Sequence, residues 1–154
     1  MKYFRILLLV WLSLSALNVT ANEFVFNDMQ GKVQKLSEYK GKWVLVNFWA
    51  TWCPPCLEEI PDLVDMYNAR KGNDFAVIGV AMSSSKESVK AFAEQMEISY
   101  PIVMGNDKLA VQIGKVEALP TSYLYDPSGK LVSYQAGMVT REAIENFIRS
   151  KSKK

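Results

Sequence analysis

Residues 43–56 read WVLVNFWATWCPPC, an apolar run that ends at two cysteines spaced three positions apart. From Trp43 to Ala50 every residue except Asn47 is apolar, which is too continuous for a strand with one solvated face. Such a run is typical of a strand buried on both faces of a parallel or mixed sheet. The sequence therefore predicts a central strand whose carboxyl end delivers Cys53.

A helix is predicted to begin at the cysteine motif and to run to about Asn68. Apolar residues recur there at spacings of three and four, which indicates one core-facing stripe: Leu57, Ile60, Val64 and Tyr67. Pro54 and Pro55 fall in the first turn, where amide hydrogens have no intrahelical partner, so they disturb the helix little. Pro61 falls in the interior, where we expect it to kink the helix.

Short strands and helices alternate through the remaining sequence. Residues 24–26 and the segment after Lys32 flank a turn-like cluster, residues 28–31, which predicts an N-terminal hairpin. Residues 75–81 form a second apolar strand. Ser84 and Glu87 have the spacing of a capping box at the start of a second helix, whose apolar face would comprise Val89, Phe92, Ala93 and Met96.

The C-terminal half continues this alternation. We predict a strand over residues 100–104, a short helix capped by Asn106 or Asp107, and a hairpin of residues 121–125 and 130–135 around a type I turn. Thr140 should cap a last helix that buries Ala143, Ile144, Phe147 and Ile148. This order of elements predicts an α/β fold with a mixed central sheet and helices on both faces.

The first 21 residues have the organisation of a secretory signal peptide. Lys2 and Arg5 precede an apolar run from Ile6 to Leu17, and the small residues before position 22 fit cleavage after Ala21. The alternative is an uncleaved membrane anchor, although the run is shorter than the roughly 20 residues of a spanning helix. Removing 21 residues from 154 leaves 133, so residues 22–154 are predicted to form one domain in an exported protein.

Charge and composition exclude several classes of function. The signal segment carries two of the 18 basic residues and none of the 16 acidic ones, so the mature chain is balanced and shows no basic stripe for nucleic acid. The chain contains no histidine. It therefore has neither a Cys-His or Ser-His nucleophile system nor an imidazole metal ligand.

The two cysteines, Cys53 and Cys56, point to disulfide exchange. The nucleophile in that reaction is a thiolate, and the start of a helix favours negative charge. Spacing of three places both sulfurs on one face, so that Cys53 attacks and Cys56 resolves the mixed disulfide. A purely stabilising disulfide is the alternative, although a ring of four residues contributes only about 2 kcal/mol in the loop model. A zinc site would need more ligands than two thiolates.

Several stretches resemble the TlpA/ResA branch of thioredoxin-like thiol-disulfide oxidoreductases over essentially the whole mature chain. They are residues 36–42, 46–49, 49–56, 119–121 and 126–130. The resemblance implies a thioredoxin-like fold with an N-terminal hairpin and a central strand-helix insertion. It implies no cofactor beyond the Cys53–Cys56 disulfide and no metal.

The resemblance also implies roles for individual residues. Pro120 should be cis and pack beside the attacking cysteine, with Leu119 and Thr121 touching substrate. Glu59, three residues after Cys56, should tune the thiol pKa values and help to deprotonate Cys56, because Asn47 stands where ordinary thioredoxins keep an acidic proton acceptor. The alternative for Glu59 is a solvated carboxylate among other acidic residues of the helix. The remaining predicted substrate contacts are Trp52, Pro54 and Pro55.

Relatives of this type reduce disulfides in exported proteins, often the haem-binding cysteines of apocytochrome c, and are recharged by a membrane electron-transfer protein. We therefore expect a periplasmic or otherwise exported reductant, tethered to the membrane if its signal stays uncleaved. A disulfide-forming oxidant of the same fold is one alternative. A copper chaperone is another, although such relatives pair a wider cysteine spacing with a distal histidine. A peroxidase of this fold would carry a proline, and a threonine or serine, ahead of its peroxidatic cysteine, where this chain has Val46 and Ala50.

Overall fold

A computed structural model describes residues 23–152 of the chain. The predicted signal peptide, residues 1–21, lies outside the described residues. Within residues 23–152 no helix has the length and apolarity needed to cross a membrane.

The centre of the molecule is a five-stranded mixed sheet with the order β5-β4-β3-β6-β7. The predicted central strand is β3, Trp43–Trp49, and all seven of its residues are buried. Its neighbour β4, Phe75–Ala81, is parallel, whereas β6, Thr121–Tyr125, is antiparallel. The outer strands are β5, Ile102–Met104, and β7, Leu131–Ala136. The predicted mixed sheet is therefore confirmed.

Helices cover both faces of this sheet, as the sequence predicts. On one face α1, Pro54–Arg70, α2, Lys86–Gln95, and α4, Arg141–Ser152, contribute to one apolar core. On the other face a second core includes side chains of α3, Asp107–Ala110, and of the 3-10 helix Leu36–Tyr39. The helix α2 and strand β5 follow β4 and form the predicted insertion.

The N-terminal hairpin is a separate two-stranded sheet of β1, Val25–Asn27, and β2, Val33–Lys35. Phe24 and Phe26 pack into the second core. The hairpin turn also reaches β5, because the backbone amide of Met29 donates to the carbonyl of Ile102 at 2.8 Å and Asp28 forms a bridge with Val103. The outer edge of β5 is thus covered by the hairpin.

Two predictions about helix faces are wrong in detail. The fully buried residues of α1 include Leu63 and Met66 beside Ile60 and Val64, whereas the predicted Leu57 and Tyr67 are only half-buried. The helix continues through Pro61, whose side chain is exposed. In α4 the predicted core residue Ala143 is exposed, because the apolar stripe that meets the sheet runs through Ile144 and Ile148.

The predicted capping box of α2 is wrong by one residue. The cap is Ser85, whose side chain accepts a hydrogen bond from the backbone amide of Ser88. Ser84 instead bonds to Thr51 at the end of β3. The strand predicted from Tyr100 begins at Ile102, although Tyr100 is itself buried.

Candidate redox site

Cys53 and Cys56 form a disulfide, with their Cα atoms 5.3 Å apart. Cys53 is the N-cap of α1, and its carbonyl accepts the backbone amides of Cys56 at 3.0 Å and Leu57 at 3.2 Å. Both cysteines belong to the apolar core, but Cys53 is 3% exposed and lines a surface groove, whereas Cys56 is fully buried. An incoming sulfur can therefore approach Cys53, with Cys56 held behind it.

The start of α1 favours a thiolate mainly through the helix dipole. An N-cap side chain ordinarily accepts hydrogen bonds from the second or third residue of the helix. Here positions one and two are Pro54 and Pro55, which have no amide hydrogen. The amide of Cys56 already donates to the carbonyl of Cys53. The proline pair thus withholds amide donors that a Cys53 thiolate could otherwise use.

The groove beside Cys53 has a volume of about 430 Å³. Four residues predicted to contact substrate line it together: Trp52, Pro54, Pro55 and Leu119. The rest of its wall is formed by Cys53, Met82, Ser83, Asp107, Val116, Glu117 and Ala118. The groove is therefore mostly apolar and runs past Cys53.

The peptide bond between Leu119 and Pro120 is cis, as the family resemblance predicts. Pro120 and Thr121 are both buried and do not line the groove. The hydroxyl of Thr121 donates to the carbonyl of Ala118 at 2.7 Å. The structure therefore brings Leu119, but not the side chain of Thr121, to the predicted substrate surface, because Thr121 begins the buried strand β6.

Glu59 is a buried carboxylate with only 1% of its surface exposed. Its Oε1 accepts a hydrogen bond from Nδ2 of Asn47 at 2.6 Å, and its Oε2 accepts the backbone amide of Val139 at 2.9 Å. Burial raises the pKa of Glu59 from its usual 4.5 to about 7, against the opposing effect of these two donors. The alternative of a solvated carboxylate is thus wrong for Glu59.

Two residues of this buried network have no signal in the sequence. Val139 lies 80 residues after Glu59. Ser122 lies 75 residues after Asn47, and its Oγ accepts a hydrogen bond from Nδ2 of Asn47 at 3.0 Å. Only the fold brings them together, since β6 pairs with β3 and α4, which begins just after Val139, packs on α1. Among the described residues, no three histidine, cysteine, aspartate or glutamate side chains are arranged to hold a metal ion.

Comparison with known proteins agrees with this geometry. A sequence model of the AhpC/TSA family matches residues 17–134. Thiol-disulfide oxidoreductase ResA of Geobacillus kaustophilus (strain HTA426) is 36% identical over 135 residues, which are 88% of this chain and 78% of that protein. The chain belongs to the AhpC/TSA family, among its ResA-like members. ResA of Bacillus subtilis (strain 168) is 34% identical over 128 residues, 83% of this chain and 72% of the relative.

Solved structures place this ResA-like protein in the thioredoxin fold. A thiol:disulfide interchange protein of the thioredoxin family from Chlorobium tepidum TLS matches with a TM-score of 0.77 and 30% identity, over 84% of this chain and 93% of that one. The exposed lipoprotein thioredoxin Etrx1 of Streptococcus pneumoniae strain TIGR4 matches with a TM-score of 0.70 and 30% identity, over 83% and 98%. The ResA-like chain is therefore a thiol-disulfide oxidoreductase.

Proposed function

We propose that this oxidoreductase is exported and reduces disulfides in exported proteins, with Cys53 as the attacking sulfur and Cys56 as the resolving one. The observation that carries the proposal is the unequal placement of the two sulfurs. Both cysteines are buried, but only Cys53, which is 3% exposed, lines the groove, whereas Cys56 has no exposed surface. A substrate sulfur that enters the groove would therefore meet Cys53 first.

The reaction then proceeds in two exchanges. The Cys53 thiolate attacks a substrate disulfide, which forms a mixed disulfide and releases one substrate thiolate. Cys56 loses its proton to Glu59 and attacks the Cys53 sulfur, which forms the Cys53–Cys56 bond and releases the second substrate thiolate. The substrate gains two electrons and the enzyme leaves oxidised. The ionised form of Glu59 is a competent proton acceptor at neutral pH, because its pKa is about 7.

The client and the electron donor follow from the family resemblance. Apocytochrome c, with its pair of haem-binding cysteines, is the proposed client, and a membrane electron-transfer protein is the proposed source of electrons. Trp52, Pro54, Pro55 and Leu119 would hold an extended client segment in the groove. Residues 1–21 would direct export, and they would tether the protein if they stayed attached. The related lipoprotein thioredoxin from Streptococcus pneumoniae is described as exposed.

The direction of electron flow is tested by the equilibrium reduction potential against glutathione. A reductant should have a potential near that of thioredoxin, about −270 mV, whereas a disulfide-forming oxidant would lie near about −120 mV. A value near the second figure would replace the proposed reductant by the alternative oxidant.

The order of attack is tested by trapping. A Cys56→Ser variant should accumulate a mixed disulfide between Cys53 and its client, because the resolving sulfur is gone. A Cys53→Ser variant is the matched control and should trap nothing, because its remaining sulfur, that of Cys56, does not line the groove. Capture by Cys53→Ser and not by Cys56→Ser would reverse the assigned roles. Identification of the captured protein by mass spectrometry would test whether apocytochrome c is the client.

A further inference from the structure

Trp52 is an exposed aromatic residue that is nevertheless anchored. Its side chain is 61% exposed at the wall of the groove. Its indole Nε1 donates a hydrogen bond to the backbone carbonyl of Ser83 at 2.9 Å. The ring therefore presents its apolar surface to the groove while its polar atom is already satisfied by the protein.

The carbonyl that holds Trp52 belongs to an unusual backbone. Ser83 has a φ of +45°, in the left-handed region that residues other than glycine rarely adopt. Such a conformation persists only where surrounding contacts impose it. The segment 82–84 must therefore be fixed by interactions with its neighbours.

Ser84 supplies several of those interactions, beside a hydrogen bond from the backbone amide of Met82 to the carbonyl of Trp49 at 2.8 Å. Its Oγ accepts the backbone amide of Thr51 at 3.2 Å and lies 3.3 Å from the Oγ1 of Thr51. The same hydroxyl donates to the carbonyl of Met82 at 3.0 Å. Ser84 thus fastens the segment that follows β4 to the residue immediately before Trp52. This role also explains why Ser85, and not Ser84, caps α2.

We propose that Ser83 and Ser84 are positioning residues that hold the indole of Trp52 in a fixed orientation for substrate binding. Ser84 fixes the segment, and the segment presents the carbonyl of Ser83 to the indole. Fixing a side chain before binding removes an ordering cost that is equivalent to about 2- to 13-fold in affinity. The inference rests on the proposed function, in which Trp52 contacts the client.

The first test compares the full-length wild-type chain with Ser84→Ala. The substrate is a synthetic ten-residue peptide with an intramolecular disulfide, and the reductant is dithiothreitol in excess. Ser84→Ala should raise KM about 3- to 10-fold with kcat within twofold, because binding and not chemistry depends on the indole. An unchanged KM would overturn the proposal. Ser84→Thr, which keeps the hydroxyl, should restore most of the loss.

The second test asks whether Ser84 acts through Trp52. In a Trp52→Ala background, adding Ser84→Ala should leave KM unchanged, because the group that the serine positions is gone. An equal rise in KM in both backgrounds would contradict the proposal and indicate a general structural effect. Ser150→Ala is the control, since Ser150 also donates to a backbone carbonyl but lies on α4, and it should match the wild type.

A spectroscopic readout follows the indole itself. Of the four tryptophans, Trp11 lies outside the described residues, Trp43 and Trp49 are buried and Trp52 is exposed. The other three are common to wild type and Trp52→Ala, so the difference in iodide quenching between the two proteins reports on Trp52. Ser84→Ala should change this difference and lower the fluorescence anisotropy of Trp52, and no change would contradict the proposed anchoring. If the wild type reduced no peptide, the proposed function would be wrong. If the wild type were active and Ser84→Ala had the same KM, only this inference would be wrong.

Discussion

Nδ2 of Asn47 lies 2.6 Å from Oε1 of Glu59, so the central strand donates a hydrogen bond to the carboxylate of α1. Neither side chain has more than 1% of its surface exposed. An asparagine on this strand therefore supports the charge of a buried glutamate one turn beyond Cys56. The donor favours the ionised carboxylate while burial disfavours it more strongly, and the pKa of Glu59 settles near neutrality.

The raised pKa of Glu59 makes stability depend on pH. The folded chain binds this proton more tightly than the unfolded chain, because the pKa is about 7 in the fold against an ordinary 4.5. The free energy of unfolding should therefore fall by about 3 kcal/mol between pH 4.5 and 7, through this group alone, and then level off. In Glu59→Gln this contribution should vanish. Urea denaturation of the oxidised protein at several pH values measures it.

The matched control for that experiment is Glu58→Gln. Glu58 neighbours Glu59 on α1 but is exposed. Because other carboxylates add pH dependence of their own, the informative quantity is the difference between wild type and variant. Equal curves for Glu59→Gln and wild type would show that Glu59 carries no such proton.

Removing the amide of Asn47 should raise the pKa of Glu59 further. In Asn47→Ala the carboxylate keeps the amide of Val139, which lowers its pKa more, but loses the shorter contact with Asn47 at 2.6 Å. Carbon-13 NMR titration of the Glu59 carboxyl carbon would measure the shift. Ser122→Ala should shift it less, because Asn47 would still donate to Glu59. A downward shift in Asn47→Ala would contradict the role given to this hydrogen bond.

Replacing Pro55 by alanine should lower the pKa of the Cys53 thiol. The substitution restores an amide hydrogen at the second helical position, where an N-cap side chain can accept it. The thiolate would then gain a hydrogen bond in addition to the dipole. Absorbance of the reduced protein at 240 nm against pH follows the ionisation. Pro61→Ala, at an exposed position further along α1, should leave the curve in place.

The adjacent serines before α2 should respond differently to substitution. Ser85→Ala should destabilise the protein by about 1 kcal/mol through loss of the N-cap. It should also speed hydrogen exchange at the amide of Ser88, which the cap accepts. Ser84→Ala should leave that amide protected. Faster exchange in Ser84→Ala than in Ser85→Ala would mean that the cap lies where the sequence pattern predicts it.

Sequence reasoning was most successful where one residue pattern had one physical solution. The continuous apolar runs at Trp43 and Phe75 could only be buried strands, and both begin where predicted. It failed where tertiary contacts chose between neighbours. The sequence pattern predicts Ser84 as the cap, but Ser84 bonds to Thr51 after β3 and Ser85 caps α2.

The site shows the same division. The cysteine pair was evident from spacing, and the cis Leu119–Pro120 bond was expected from family resemblance. The burial of Glu59 could not be decided from its helical neighbours, which include the charged Glu58 and Asp62 as well as apolar residues. In the fold its carboxylate accepts a hydrogen bond from Val139, in the segment before α4 and 80 residues away. No local pattern encodes so distant a contact.

The turn of the N-terminal hairpin pairs with the backbone of Ile102 and Val103 on the outer edge of β5. Exposed strand flanks invite pairing with foreign chains, and unfolded clients with open backbones are the partners this enzyme is proposed to meet. Because the hairpin covers the β5 edge, strand addition to the described sheet is confined to its β7 edge. The hairpin thus hinders a client segment from adding as a further strand at the β5 edge.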